Sequence, residues 1–218
     1  MLLLTFEGID GSGKSTQARR LHEALQDAGH DPLLVREPGG TDVSEQIRSI
    51  LLDPSLNVHD VAELLLFSAA RAQLVAERIR PALEAGRVVI CDRFYDSTTA
   101  YQGAGRGVAD PAWLADFHRR VTGDLVPDRT YWVDVAPATA RERRTDEADD
   151  RMEAAGPDFY ERVIGAYEAL AEAHPDRFVR LDGTRPIDAL HRAIRADVDA
   201  LLRDAPGTPV SGSGSSGP

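Results

Sequence analysis

A glycine-rich loop near the N-terminus constrains the fold of this chain more than any other feature. Residues 2–6 read LLLTF, residues 8–16 read GIDGSGKST, and a helical pattern follows from about Lys14 to Ala28. The loop matches the pattern G-x-x-x-x-G-K-[ST], whose glycines let the backbone wrap a phosphate group. The N-terminus of the following helix adds positive charge to the same site. A strand, this loop and a helix in that order predict a phosphate-binding loop in an α/β fold.

Each part of the loop has an expected role toward a nucleoside triphosphate. Lys14 would reach the β- and γ-phosphates, and the Ser15 hydroxyl would ligate Mg²⁺. A glycine-rich turn without a ligand is the alternative, but the strand before it and the helix after it favour the binding loop. The loop residues expected to bind ATP are Gly8, Asp10, Gly11, Ser12, Gly13, Lys14, Ser15 and Thr16.

Short apolar runs alternate with helical patterns along the rest of the chain. Further strands are predicted at 33–35, 88–91, 131–135 and 178–181, and helices at about 61–83, 112–122, 137–144, 158–173 and 186–203. This alternation predicts an α/β fold with a five-stranded parallel sheet covered by helices on both faces. We expect a single domain over residues 1–204, followed by a flexible Gly/Ser/Pro-rich tail at 205–218.

The overall composition limits the partners of the chain. Its 218 residues carry a net charge of −11, which argues against a general nucleic-acid-binding surface and against a polybasic membrane-surface role. No window approaches the roughly 20 apolar residues of a membrane span. The single cysteine, Cys91, excludes an intrachain disulfide and suits a reducing compartment. We therefore expect a cytoplasmic protein with no nucleic-acid or membrane partner.

The basic residues are divided very unevenly between arginine and lysine. Of the 25 basic residues, all but Lys14 are arginines. Lysine is a compact point charge and arginine a planar fork, so the two are not interchangeable where geometry is tight. A bias toward arginine codons would explain the arginines, but not why the one lysine lies in the phosphate loop. A lone lysine also excludes the Asn-Lys-x-Asp motif of GTPases, and the chain is short for a motor ATPase, which leaves a small phosphotransferase.

Four further segments carry a family resemblance together with the loop. They read REPGGT at 36–41, FSAAR at 67–71, DRF at 92–94 and STTAYQG at 97–103. With residues 6–16, they resemble the thymidylate kinases of the bacterial type, which are P-loop nucleoside monophosphate kinases. The resemblance extends to about residue 203. It implies a P-loop NTPase fold with a short mobile lid at about 141–153, a homodimer, and transfer of the γ-phosphoryl group of MgATP to dTMP for dTTP synthesis.

Three charged residues are candidates for holding the metal and the acceptor phosphate. Asp92 ends a predicted strand, where open α/β sheets place ligands, and it could hold Mg²⁺ through water; helix capping is the alternative. Arg93 could fork onto the acceptor phosphate, and a structural ion pair is the alternative. Arg48 resembles the family's other acceptor-phosphate arginine, and a solvated helix face is the alternative.

The resemblance also implies a binding pocket for the thymine base. Phe67 would stack on the base, and Arg71, on the same helix face, would donate to a thymine carbonyl oxygen. Taken alone, Phe67 is better explained as a core residue. Ser97 or Thr98 would form a hydrogen bond with the base edge.

Further residues are implied around the sugar and at the adenine. Tyr101 would crowd the sugar 2′ position and favour the deoxy form, and Gln102 would line the same pocket. Asp10 would accept a hydrogen bond from the sugar 3′-hydroxyl, although by itself it reads as a turn residue. Glu37 would lie near the metal or its waters. Gly183 follows the last predicted strand and would lie against adenine.

A charged segment after residue 140 is the candidate lid. In this family, an arginine from the phosphate loop or from the lid meets the transferring phosphoryl group. Positions 9–12 read IDGS and contain no arginine, so the lid must supply it. We expect Arg143 to take this role, with Arg144 as second choice and Arg151 closing the lid. A solvated helix end with ion pairs is the alternative.

Other functions remain open on the residues alone. A kinase of another nucleotide or of a deoxynucleoside would carry the same loop. A non-catalytic nucleotide-binding regulator, or a structural module that keeps the loop, belongs to a different class. The intact set of Lys14, Ser15, Asp92 and Arg93 disfavours both of these.

The position of the lone lysine leads to a test. We expect Lys14→Arg to abolish ATP-dependent phosphoryl transfer although it conserves charge, because a fork does not fit where a point charge lies. The measurement is ADP release with dTMP as acceptor. Full activity of this variant would contradict the role derived from the lone lysine.

Overall fold

A single parallel sheet organises the computed structural model, which describes residues 1–144 and 156–204. Its strands are β1 (Leu2–Glu7), β2 (Leu33–Arg36), β3 (Val88–Asp92), β4 (Arg129–Asp134) and β5 (Phe178–Asp182). They lie in the order β2-β3-β1-β4-β5, and every neighbouring pair is parallel. The predicted five-stranded parallel sheet is therefore confirmed. The strand order reverses beside β1, which is where open α/β sheets form their ligand crevice.

Helices connect the strands and cover both faces of the sheet. They are α1 (Lys14–Asp27), α2 (Asp42–Leu52), α3 (Asp60–Leu74), α4 (Arg80–Glu84), α5 (Tyr95–Thr98), α6 (Pro111–Thr122), α7 (Pro137–Arg143), α8 (Pro157–Ala173) and α9 (Ile187–Asp204). Two π-helical segments, Val75–Ile79 and Thr99–Gly105, continue α3 and α5. No described helix has the length and apolar character needed to cross a bilayer.

The side chains of β1 point alternately to the two faces of the sheet and pack against the helices on each face. Leu4 and Phe6 pack on one face, in a buried cluster with residues of α1 and α9 such as Leu21 and Ile194. Leu3 lies on the opposite face, in a second cluster with residues of α3 and α4. Successive side chains of a strand point to opposite faces, so a central strand between helices must be apolar on both. The lone cysteine, Cys91 of β3, is buried in the second cluster.

The helical path after Asp60 is not uniform. It covers the predicted range 61–83 and ends at Glu84, but a π-helical segment, Val75–Ile79, lies between α3 and α4. Proline lacks an N–H group and crowds the preceding turn. The wider turn changes the hydrogen-bond register directly before Pro81, so the helix continues where a regular α-helix would be broken.

Two predicted segments fall largely outside the described residues. The lid was predicted at about 141–153, and of this range only the end of α7 and Arg144 are described. Arg151 and the tail at 205–218 lie outside the described residues as well.

Candidate nucleotide-binding cleft

The phosphate loop links β1 to α1 and adopts a backbone that only glycine tolerates well. Gly8, Gly11 and Gly13 have φ angles of 136°, 84° and 100°. A Cβ atom on Gly11 would lie 2.2 Å from the carbonyl oxygen of Ala140, because α7 packs directly on the loop. The absence of a side chain at Gly11 therefore lets α7, and the arginines at its end, approach the loop backbone.

Asp10 joins two cations at the centre of the cleft. Its Oδ1 atom accepts from Lys14 Nζ at 2.9 Å and from Arg93 Nη2 at 2.8 Å. Burial opposes ionisation of Asp10, but the charges of Arg93 and Lys14 outweigh it and hold the pKa of this carboxyl well below its usual range. The three charged groups together leave one positive charge at the meeting point of the loops after β1 and β3.

Arg93 is held in a geometry that a free chain rarely adopts. Its φ angle is 70°, in the left-handed region that non-glycine residues seldom occupy. Its Nη1 atom donates to Ser97 Oγ at 2.9 Å, and its guanidinium lies 5.1 Å from the centre of the Tyr101 ring. Such strain is typical of functional sites, where surrounding contacts over-determine the conformation.

A cavity of about 460 Å³ opens beside these groups. It lies at the carboxyl ends of β2 and β3, between α1, α2 and α3. Its lining includes every residue expected to bind dTMP: Asp10, Glu37, Arg48, Phe67, Arg71, Arg93, Ser97, Thr98, Tyr101 and Gln102. We call it the acceptor cavity.

Two buried charges form one wall of the acceptor cavity. Arg71 Nε donates to Glu37 Oε2 at 2.7 Å, and Arg71 Nη2 donates to Thr98 Oγ1 at 3.0 Å. Burial raises the pKa of Glu37 although Arg71 lies beside it. Arg71 Nη1 and Glu37 Oε1 have no hydrogen-bond partner among the described residues. Buried polar atoms are rarely left in this state, so these two are the natural contacts for a ligand.

The side chain of Ser97 is used inside the protein. Its hydroxyl accepts from Arg93 and donates to Glu7 Oε2. The Thr98 hydroxyl also has a partner, but it accepts from Arg71 and so keeps its hydrogen for another acceptor, which favours Thr98 over Ser97 at the base edge. Gln102 is likewise held in place, because its amide donates to Glu63 Oε1 at 2.8 Å.

A second cavity, of about 980 Å³, lies on the other side of the phosphate loop. Of the residues expected to bind ATP, it is lined by Asp10, Gly11, Ser12, Gly13, Lys14, Ser15, Thr16 and Gly183. Gly8 is absent from this lining; a Cβ atom there would lie 2.5 Å from the carbonyl oxygen of Val133, so Gly8 serves the packing of the loop. We call this the donor cavity.

Arg143 spans the donor cavity at the end of α7. Its guanidinium donates to the carbonyl oxygens of Gly183, at 3.0 Å, and Ser12, at 3.4 Å. Arg144 lines the same cavity. The two arginines expected to meet the transferring phosphoryl group, Arg143 and Arg144, therefore both line the donor cavity.

Ser15 and Asp92, the two residues expected to hold a metal, suit Mg²⁺, which needs few ligands from the protein. Ser15 and Asp92 line the acceptor cavity together. Asp92 Oδ1 is buried without a hydrogen-bond partner among the described residues. The described residues contain no cluster of three His, Cys, Asp or Glu side chains that could hold a metal ion. Mg²⁺ commonly takes one or two carboxylates and completes its shell with water and substrate phosphates.

Several lining residues were not predicted from the sequence. Arg19 and Arg36 line the acceptor cavity, and Arg185 lines the donor cavity. Arg19 lines both cavities and lies one helical turn after Ser15, so spacing on α1 could have identified it. Arg185 lies in the turn between β5 and α9, two residues after Gly183, so its closeness to that predicted residue could have identified it.

Comparisons with known proteins agree on one family. The family model for thymidylate kinase matches residues 6–194. A thymidylate kinase of Chlorobium chlorochromatii is 48% identical over 217 residues, covering 93% of this chain and 96% of that protein. A thymidylate kinase of Deinococcus radiodurans is 46% identical, with 90% of this chain and 96% of that protein covered. The crystal structure of thymidylate kinase from Ehrlichia chaffeensis superposes with a TM-score of 0.72 at 34% identity, covering 93% of this chain and 98% of that one.

Proposed function

Since the chain belongs to the thymidylate kinase family, we propose that its two joined cavities are the donor and acceptor sites of a dTMP kinase. The enzyme transfers the γ-phosphoryl group of ATP to dTMP, which gives ADP and dTDP for dTTP synthesis. The observation that carries the site assignment is the sharing of Asp10, Lys14 and Ser15 by both cavities. A phosphoryl group bound there lies between the two nucleotides.

The donor cavity takes ATP. The backbone N–H groups of the phosphate loop surround the phosphates, and Lys14 contacts the β- and γ-phosphates. Gly183 lies against the adenine. The place of Gly183 in the lining of the donor cavity supports this, while the absence of a side chain there serves its packing on Val135, which a Cβ atom would approach to 2.6 Å.

The acceptor cavity takes dTMP. Arg93 and Arg48 bind its phosphate, and Phe67 stacks on its base. Arg71 and Thr98 bind the base edge; the unpartnered Nη1 atom of Arg71 supports this assignment.

The sugar of dTMP lies between the base and the phosphate loop. Asp10 accepts from its 3′-hydroxyl, and Tyr101 crowds the 2′ position, which favours the deoxy form. Gln102 lines the pocket beside Tyr101. The contact between Glu37 and Arg71 supports a positioning role for Glu37 in base recognition rather than a place beside the metal.

The chemistry needs positioning and charge more than acid–base catalysis. An oxygen of the dTMP phosphate attacks the γ-phosphorus of ATP, the bond from that phosphorus to the β–γ bridging oxygen breaks, and ADP leaves. The attacking oxygen is already ionised, so no general base is required. Lys14 and Arg143 stabilise the charge that develops on the transferring group.

Ser15 and Asp92 are the residues that would hold Mg²⁺. The hydroxyl of Ser15 would contact the metal directly, and Asp92 would hold it through water. The ion would supply positive charge to the donor phosphates.

One assay distinguishes a dTMP kinase from a kinase for another acceptor and from a nucleotide-binding regulator. We expect ADP release to be fastest with dTMP when dTMP, dUMP, dCMP, dGMP, AMP and thymidine are compared at equal concentration. Thymidine is expected to be poor because it lacks the phosphate that Arg93 binds. Faster turnover with thymidine or AMP would refute the acceptor assignment. ATP binding without stimulation by any acceptor would point to a regulator.

The role of Arg143 has its own test. We expect Arg143→Ala to lower kcat by on the order of 10³ or more, with little change in dTMP affinity, because its charge acts on the transferring phosphoryl group. Arg141→Ala is the matched control: Arg141 lies two residues earlier in α7, is exposed and lines neither cavity. A nearly normal rate for Arg143→Ala would transfer the role to Arg144 or Arg151.

The enzyme acts as a homodimer in the cytoplasm, where both substrates are present. Support for the dimer comes from a set of exposed apolar side chains on three neighbouring helices, α2, α3 and α6: Val43, Ile50, Val61, Leu65 and Trp113. Because α3 packs against both α2 and α6, these side chains lie on adjoining elements, and exposed apolar surface is typical of an interface between subunits.

The dimer is tested by solution mass. We expect the wild-type protein to have twice the chain mass of 23.7 kDa, and Leu65→Glu to shift it toward the monomer, because a charge would be buried at the interface. Val126→Glu is the control, since Val126 is equally exposed but lies outside these helices. A wild-type monomer in light scattering, or a dimer unaffected by Leu65→Glu, would contradict this interface.

A further inference from the structure

A buried carboxylate lies behind the cleft without lining either cavity. Glu7 is the last residue of β1 and is completely buried. It directly precedes the phosphate loop, on the face of β1 opposite to Phe6. An isolated buried carboxylate is costly, so its partners indicate what it is for.

The partners of Glu7 come from two different helices and from the end of β3. Oε1 accepts from the backbone N–H of Phe94 at 2.8 Å. Oε2 accepts from the hydroxyl of Ser97 in α5 and from the hydroxyl of Tyr167 in α8, the latter at 3.0 Å. Glu7 thus fixes two residues that follow Arg93 in the chain, Phe94 directly after it and Ser97 four residues after it.

Ser97 connects this carboxylate to the cleft. Its single hydroxyl hydrogen is directed to Glu7, which turns a lone pair of Oγ toward Arg93. Arg93 Nη1 donates to that oxygen at 2.9 Å, while Arg93 Nη2 donates to Asp10. Both ends of the guanidinium are therefore held, one through Asp10 and the other through Ser97 and Glu7.

We propose that Glu7 is a positioning residue for dTMP binding, acting through Ser97 to hold the Arg93 guanidinium toward the acceptor phosphate. The inference rests on the proposed role of Arg93 at that phosphate. A carboxylate accepts the three hydrogen bonds without needing a donor in return, and its charge strengthens each of them. Arg93 has a strained backbone and needs such fixed contacts to keep one orientation.

The electrostatic surroundings of Glu7 make this role dependent on pH. Burial, followed by the charge of Asp96, raises the pKa of Glu7 to about 7. Asp96 is itself bound by Arg177 at 2.7 and 2.8 Å. The titratable or charged groups that act on Glu7 or respond to it are Cys91, Arg93, Tyr95, Asp96, Tyr167 and Arg177. Below its pKa the carboxyl gains a proton, Ser97 loses its charged acceptor, and Arg93 is held less firmly.

The decisive variant is Glu7→Gln, which keeps the shape and removes the charge. We expect the KM for dTMP to rise about 10- to 100-fold, the range for loss of a charge-assisted hydrogen bond. The KM for ATP and the inhibition constant of thymidine should change less than about twofold, because neither ligand presents a phosphate to Arg93. A KM for dTMP unchanged in Glu7→Gln, while the wild type phosphorylates dTMP, would overturn this inference and leave the proposed function intact.

A matched control separates positioning from general stability. Thr5 lies two residues earlier in β1, on the same face, is fully buried, and donates to Thr130 Oγ1 at 2.9 Å. Thr5→Val should lower Tm without a selective effect on dTMP. Equal losses for dTMP, ATP and thymidine in Glu7→Gln would show a merely structural role and refute the proposal.

Two further measurements test the route through Ser97. Ser97→Ala should reproduce the rise in KM for dTMP. The double variant with Glu7→Gln should have a KM for dTMP no higher than that of either single variant, because both substitutions remove the same connection.

The pH dependence gives a second measurement. The ratio of kcat/KM for dTMP between wild type and Glu7→Gln should shrink as pH falls from about 8 to about 6, since wild-type Glu7 then becomes neutral. Ionisation of dTMP cancels in this ratio. Additive losses or a ratio independent of pH would contradict the route.

A milder variant covers the case in which Glu7→Gln does not fold. Tyr167→Phe removes one of the three donors to Glu7 and leaves the carboxylate in place. We expect a smaller, selective rise in the KM for dTMP, of about 2- to 10-fold. No change in this variant and in Ser97→Ala would refute the role of Glu7 without any use of Glu7→Gln.

Discussion

The cleft depends on one carboxylate, that of Asp10, shared between Lys14 and Arg93. Two cations this close together would repel each other at a site largely removed from water. Asp10 allows both to be present and leaves one positive charge in a fixed place. Because Asp10 follows β1 and Arg93 follows β3, the same contact joins the two loops that separate the donor cavity from the acceptor cavity.

The same principle explains how a chain with a net charge of −11 binds two anionic nucleotides. Buried or partly buried carboxylates of the protein hold the arginines of the cleft in place, as Glu37 does for Arg71. Glu7 extends this arrangement one step further from the ligand, through the hydroxyl of Ser97. The acidic residues near the cleft thus orient the positive charge.

Local patterns predicted the elements well but failed where a tertiary contact changed the outcome. The strands and the helices around the phosphate loop were predicted within one to a few residues, because each is encoded by its own periodicity. The helix predicted over 61–83 contains a π-helical segment that packs on the sheet, and no local pattern indicated it. Ser97 and Thr98 are equal candidates for the base edge from their spacing, because the residue that accepts from the Ser97 hydroxyl, Glu7, is 90 residues away along the chain.

The sequence by itself determined the parallel α/β fold, the phosphate loop and the place of the lone lysine, because strand, loop and helix are adjacent along the chain. Only the tertiary structure decided which charges meet. Asp10 and Arg93 are 83 residues apart, Glu37 and Arg71 are 34 apart, and Glu7 and Tyr167 are 160 apart. The first pair follows from the strand order β2-β3-β1-β4-β5, which places the carboxyl ends of β1 and β3 side by side. The other two pairs also require the packing of α3 and α8 on the sheet. No local spacing encodes that order, since it results from the packing of all the strands and helices at once.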